Sequence, residues 1–186
     1  MRTAILAAAV LALAGCQSGT VAKKPAPAAP APAAQAAPAY KPTGDLLIDS
    51  RAALETPVAQ AELADMPTDA LTACAANEAR LLEVAQALLN VSRLYPELQT
   101  RATMTAVQIN SDADLAGRPF TAALTARDAA AAKAAKTAAS DEAKATLRAR
   151  ISNPAPGEGG PDAVFAVGAE EMQANQKCRL AARGLG

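Results

Sequence analysis

The chain has 186 residues, half of them apolar, with 18 Lys and Arg balanced by 18 Asp and Glu, but just two Tyr, two Phe and no Trp. It contains no histidine, which removes serine–histidine triads, cysteine–histidine dyads and the usual zinc ligand sets, so neither a metal nor another cofactor is expected. Neutral charge balance and a shortage of stacking side chains argue against a nucleic-acid partner.

In chain order, Met1-Arg2 supplies one positive charge and Thr3 to Ala14 an almost unbroken apolar run, followed by Gly15-Cys16. This is the outline of a signal peptide. A bilayer core about 30 Å thick needs roughly 20 apolar residues of helix, so a run that stops before Gln17 and Ser18 is too short for a permanent span. The four residues Leu13-Ala14-Gly15-Cys16 resemble the lipobox of the bacterial lipoprotein family: a branched apolar residue, two small ones, then cysteine. The match covers the first sixteen residues and leaves the rest of the chain unassigned.

That resemblance implies removal of residues 1–15, a diacylglyceryl group on the Cys16 thiol and a further acyl chain on the new amine. Each buried methylene contributes about 0.8 kcal/mol, so two or three chains hold firmly where one is marginal. In lipoproteins of two-membrane bacteria an acidic residue directly after the lipid-bearing cysteine commonly retains the protein in the inner membrane. Gln17 occupies that position, which favours the periplasmic leaflet of the outer membrane over the inner membrane or the cell surface.

Val21 to Pro42 is mostly Ala and Pro, with six prolines between Pro25 and Pro42 and three lysines. Proline removes amide donors and fixes φ, so neither helix nor sheet is expected to run through. Residues 16–44 read as anchor and linker. At about 3.1 Å per residue, an extended Gln17 to Gly44 would reach up to roughly 85 Å, and composition alone does not separate such a spacer from a merely disordered leader.

Asp45 to Gly186 is long enough for one domain. Abundant Ala and the absence of β-branched runs predict an all-α fold, a bundle of about four to six helices. Leu46 to Leu63 reads as weak helix interrupted at Pro57. Thr68, a candidate cap, opens a long helix to about Tyr95 with Leu71, Cys74, Leu81, Leu82, Ala85, Leu88, Leu89 and Tyr95 on one face. Leu98, Ala102, Thr105 and Ile109 fit a shorter helix closing at the polar stretch Asn110 to Asp114. Pro119 to Ile151 is a further helical segment, Pro119 suiting its first turn. Its stripes, Phe120 and Leu124 then Leu147 and Ile151, would lie on opposite sides of an unbroken helix, so a break with Ser140 as cap is expected. After a turn-rich loop from Asn153, Pro161 opens a last helix to about Arg183, closed by Gly184.

With Cys16 lipidated, Cys74 and Cys178 remain in an oxidising compartment, where pairing is the default. Cys74 lies near the start of one helix and Cys178 near the end of another, so a bridge sets those helices antiparallel. On a helical wheel Cys178 lies within about 40° of Val164, Val167 and Ala174, so both sulfurs are expected to face inward. The competing metal or redox pair is disfavoured by their distance in sequence and the lack of histidine.

Motifs for catalysis are sparse. Ser140 and Lys144 are one helical turn apart, but read better as cap and solvated charge. Asn110, Asp112 and Asp114 resemble the start of a calcium loop, yet Leu115 stands where Gly is needed and Thr121 where Glu is needed, so a polar turn is the better reading. Glu170 and Glu171 point about 100° apart on a helix and read as surface charges. No catalytic residue is therefore assigned, and the chain is read as a non-enzyme.

Charge is uneven: Asp45 to Met66 carries five acids and one base, Arg118 to Ile151 seven bases and three acids. Lys133, Lys136, Lys144, Arg148 and Arg150 form a candidate basic face for an acidic envelope protein or cell-wall carboxylates. The plainer reading keeps an Ala-rich helix soluble and balances the acidic first segment. Together these features predict a non-enzymatic, lipid-tethered interaction or structural module of the envelope. A binder of small apolar ligands or lipids is the alternative class, and a pilotin-like carrier of a secretion-channel subunit is a sharper alternative by analogy with other small helical lipoproteins.

Overall fold

The computed structural model of the chain describes residues 40–185. The expected signal peptide, lipobox and most of the linker lie outside the described residues. Those described are all-α, with no strand among them. Helix α1 spans Leu46–Glu55, α2 Thr68–Leu94, α3 Gln99–Asp112, α4 Arg118–Arg127, α5 Ala129–Ser152 and α6 Gly160–Ala181. Short 3-10 turns at Gln60–Leu63 and Pro96–Leu98 and a π turn at Ala113–Gly117 complete the elements of the described residues.

α2 is the central helix, contacting α3, α4, α5 and α6. Its buried set, Leu71, Cys74, Leu81, Val84, Ala85, Leu88 and Val91, is joined by Ala75, Ala76, Asn77, Glu78 and Ala79, so it is covered on more than the one expected face. Leu82, placed on that face by periodicity, is 38% exposed. The alanines let neighbouring backbones approach closely: Ala76 and Ala79 pack against Ala139 of α5. Toward one end Leu81, Val84, Leu88, Ile109, Leu147, Val164 and Val167 form one cluster; toward the other, Leu63, Leu71, Cys74, Phe120 and Leu124 form a second.

The element boundaries depart from the sequence reading in three places. Thr68 is the first helical residue rather than the cap; Pro67 precedes it and no side chain caps the end. α3 ends at Asp112, inside the polar stretch Asn110 to Asp114 as expected, but the chain does not break there, because the helical path continues through the π turn into α4. Pro119 lacks the N–H that a regular helix would direct to the carbonyl of Leu115, and the widened turn just before it accommodates that loss. The break between the two stripes falls at Asp128, not Ser140. Asp128 is extended (φ −153°, ψ 99°), and its carboxylate accepts from the N–H groups of Ala130 and Ala131 at 3.0 and 2.9 Å. Ser140 lies inside α5. The last helix ends as its glycine predicts: Gly184 has φ +67°, Leu185 N–H bonds to Leu180 O and Gly184 N–H to Ala181 O.

Cys74 and Cys178 form a disulfide with 5.7 Å between Cα atoms. It ties the first turns of α2 to the last turns of α6, so the two helices run antiparallel, and Gly168 of α6 meets Val84 farther along α2. Cys74 is buried and Cys178 half-buried.

Candidate functional site

The folded region reaches further toward the N-terminus than Asp45. Asp49 is almost fully buried beneath residues 43–44, accepting from Thr43 N–H (2.7 Å), Thr43 Oγ1 (2.8 Å) and Gly44 N–H (3.0 Å). The bond from the Thr43 amide is the main cause holding its carboxyl below the usual range.

Three arginines from distant elements then hold the first segment by its carbonyl oxygens. Arg127 donates to Met66 O (2.7 Å), Leu63 O (2.6 Å) and Ala64 O (2.8 Å). Arg179, buried within α6, donates to Thr56 O at 3.2 Å, and burial lowers its pKa. Arg183, whose side chain is 1% exposed, donates to Ala53 O, to Thr56 O and Pro57 O at 3.2 and 2.9 Å, and forks onto the Glu62 carboxylate at 3.2 and 3.1 Å. The Tyr40 ring lies 5.1 Å from its guanidinium. The acidic first segment is therefore answered by Arg183 through Glu62, and by carbonyl contacts with Arg127 and Arg179. Of the basic stretch from Arg118 to Ile151, it is Arg127 that reaches it. Sequence reasoning missed these arginines because nothing local distinguishes them from surface charges.

The candidate basic face is divided. Lys144 turns to α2 and pairs with Glu83 at 3.2 Å, while Arg150 turns to Glu158 (3.4 Å) and Glu170 (3.3 Å). Lys133, Lys136 and Arg148 are exposed and form no ion pair among the described residues. Lys133 and Lys136 border an open hollow of about 310 Å³ beside Thr121 and Thr125. The structure does not unite all five residues on one surface patch.

Ser140, expected as a cap, instead donates from Oγ to Glu83 Oε1 at 2.7 Å and accepts from Lys144 Nζ at 3.0 Å. The three side chains clamp α5 onto α2. Asn110, Asp112 and Asp114 lie on helix and π turn rather than in a polar loop, and Asp114 pairs with Arg118 at 2.7 Å. Among the described residues no group of three or more acids or cysteines could hold a metal ion.

Glu170 is exposed, but Glu171 is half-buried, correcting its reading as a surface charge, and its carboxyl is raised mainly by that burial. With its amide turned toward α6, Asn77 donates to Glu171 Oε2 at 3.1 Å and accepts from the Asn175 N–H at 2.8 Å. The Asn175 side chain donates to Asp112 O at 3.2 Å, pinning the entry of the π turn.

Among the described residues, two apolar surfaces stay open besides the exposed Met104 and Val107 of α3. One is a groove of about 190 Å³ lined by Ala87, Val91, Leu94, Tyr95, Ile151 and Val164, where α2 ends and α6 begins. The other is the first turn of α1, where Leu46, Leu47 and Ile48 are 65%, 83% and 56% exposed. No helix among the described residues is long and apolar enough to cross a membrane. Compared with protein-family models, curated proteins and solved structures, the chain gives no significant match.

Proposed function

We propose that the chain is a lipid-anchored envelope protein in which an Ala/Pro-rich tether joins Cys16 to a disulfide-stapled helical domain that acts as a non-enzymatic interaction module. Cysteine arithmetic carries the reading. Of three cysteines, Cys74 and Cys178 are joined across the domain, leaving as the odd one Cys16, at the end of the lipobox-like motif. A bridge between helices suits the oxidising compartment to which a signal peptide leads. Gln17 favours the periplasmic face of the outer membrane. The apolar groove is open to solvent rather than enclosed, which suits part of a protein partner better than a small ligand.

Intact mass and envelope fractionation of the wild type and Cys16→Ser test the anchor. The wild type is expected to begin at Cys16 with acyl chains attached and to sediment with membranes; the variant is expected as uncleaved precursor or soluble protein. Normal processing and unchanged fractionation of Cys16→Ser would refute the reading. Crosslinking in native envelopes followed by affinity purification then identifies the partner.

A further inference from the structure

Resting on that lipid-anchor reading, we propose that the first turn of α1 is a membrane-docking tip: Leu46, Leu47 and Ile48 insert into the same bilayer that holds the Cys16 lipid, laying the domain against the surface rather than at the end of its reach.

Consecutive helical residues point about 100° apart, so three in a row project around most of the helix circumference. A flat protein surface covers one side of such a tip, whereas a fluid apolar medium surrounds it. All three side chains are more than half exposed, and the helix first turns into the domain at the next residue, Asp49.

Backbone chemistry at the tip fits the same occupant. Helix N-termini ordinarily present N–H groups that resist leaving water. Here Asp45 accepts from Leu47 N–H and Ile48 N–H at 3.0 and 3.2 Å, Asp49 N–H bonds to Asp45 O at 2.8 Å, and the Asp49 carboxylate takes the N–H groups of Thr43 and Gly44. Those five donors are satisfied within residues 43–49, which leaves the Leu46 N–H as the tip amide without a partner among the described residues. Of the charged side chains around the aliphatic triplet, Asp49 is turned into the domain, and the exposed Lys41, Asp45 and Arg51 flank the triplet without interrupting it and suit a headgroup layer.

Position supplies the last argument. Leu46 follows Cys16 by 30 residues, so the tip leads the folded domain as the chain leaves the bilayer. A tether of this length keeps the tip at high effective concentration over the membrane, so a weak individual insertion suffices.

The chain has no tryptophan, so Leu47→Trp introduces a single indole at an exposed position. The mature lipidated variant is reconstituted into phosphatidylethanolamine–phosphatidylglycerol vesicles carrying brominated acyl chains. Met104→Trp, at a 66% exposed position on α3, serves as the comparison. At the roughly 5–10 Å depth of an interfacial apolar group, the indole of Leu47→Trp is expected to shift to the blue, lose about half its emission to the bromines and resist iodide, while the indole of Met104→Trp does none of these. Iodide-accessible, unquenched emission from Leu47→Trp protein whose mass shows acylated Cys16 would overturn the docking tip while leaving the anchor standing. A blue shift that grows with protein concentration without vesicles would assign the tip to a second copy and overturn the proposal. Absence of acyl mass on Cys16 would overturn the anchor reading and the proposal with it.

Discussion

Arg183 concentrates more tertiary information than any other side chain described. Its guanidinium binds carbonyls at the end of α1 and just beyond it, together with the Glu62 carboxylate, while nearly removed from solvent. Breaking a buried charge pair strands its partner, so Arg183→Ala is expected to cost about 3–5 kcal/mol. Arg183→Lys is expected to recover a minority of that, because an ammonium cannot reproduce the planar fork. Urea unfolding of the three proteins measures the loss, and faster amide exchange across residues 53–62 would locate it. A loss below about 1 kcal/mol in Arg183→Ala, within the range of exposed pairs, would contradict the clamp.

Among the elements, the π turn between α3 and α4 decides how closely the chain crosses α2. A Cβ placed on Gly117 would lie 2.8 Å from Glu78 Cβ and 2.9 Å from Glu78 Cα, an encounter with main chain that cannot swing aside. On Gly168 the nearest atoms would be Ile109 Cδ1 at 3.1 Å and Val84 Cγ1 at 3.2 Å, side-chain tips able to yield. Replacing glycine by alanine in a helix gains about 1 kcal/mol of propensity, whereas overpacking costs about 1–3 kcal/mol. Gly117→Ala is therefore expected to be net destabilising, and Gly168→Ala close to neutral. Thermal melts followed by helical circular dichroism rank them, and the reverse order would refute the close approach. Asp128 makes the complementary point: its extended backbone and double cap start α5 in a new direction, reconciling the Phe120–Leu124 stripe with Leu147.

Across the whole molecule, the disulfide spans 104 positions and fastens the early part of the chain to its last helix. The chain-entropy model gives up to about 4.7 kcal/mol for a loop near 100 residues, and removing such bridges typically costs about 2–4 kcal/mol. Large buried side chains are few, the aromatic ones being Phe120 and Phe165, so this loss is a sizeable share of a domain's usual stability of about 5–15 kcal/mol. The Cys74→Ser, Cys178→Ser double variant is expected to melt well below the oxidised protein, and peptide mass mapping of the latter should recover the Cys74–Cys178 crosslink. Two free thiols in oxidised native protein, or a crosslink between separate chains, would contradict it.

From sequence alone came the features that depend on local chemistry: helices from Ala content and apolar periodicity, the stops at Pro96 and Gly184, and the inward phase of the two cysteines whose pairing the structure contains. Local rules failed where two helices compete for the same space. The polar run Asn110 to Asp114 stays helical because the π turn carries α3 into α4, with Asn175 bonded to Asp112 at its entry, and Ser140 stays inside α5 because Glu83 accepts its hydroxyl. The five basic residues share a stretch of chain, but Lys144 and Arg150 turn to acids on neighbouring segments while Lys133, Lys136 and Arg148 stay exposed, since partners are set by which acids packing brings alongside α5. Only folding brought Arg127, Arg179 and Arg183 onto the carbonyls of a segment more than sixty residues away, because hydrogen bonds between remote parts of a chain leave no periodicity to read.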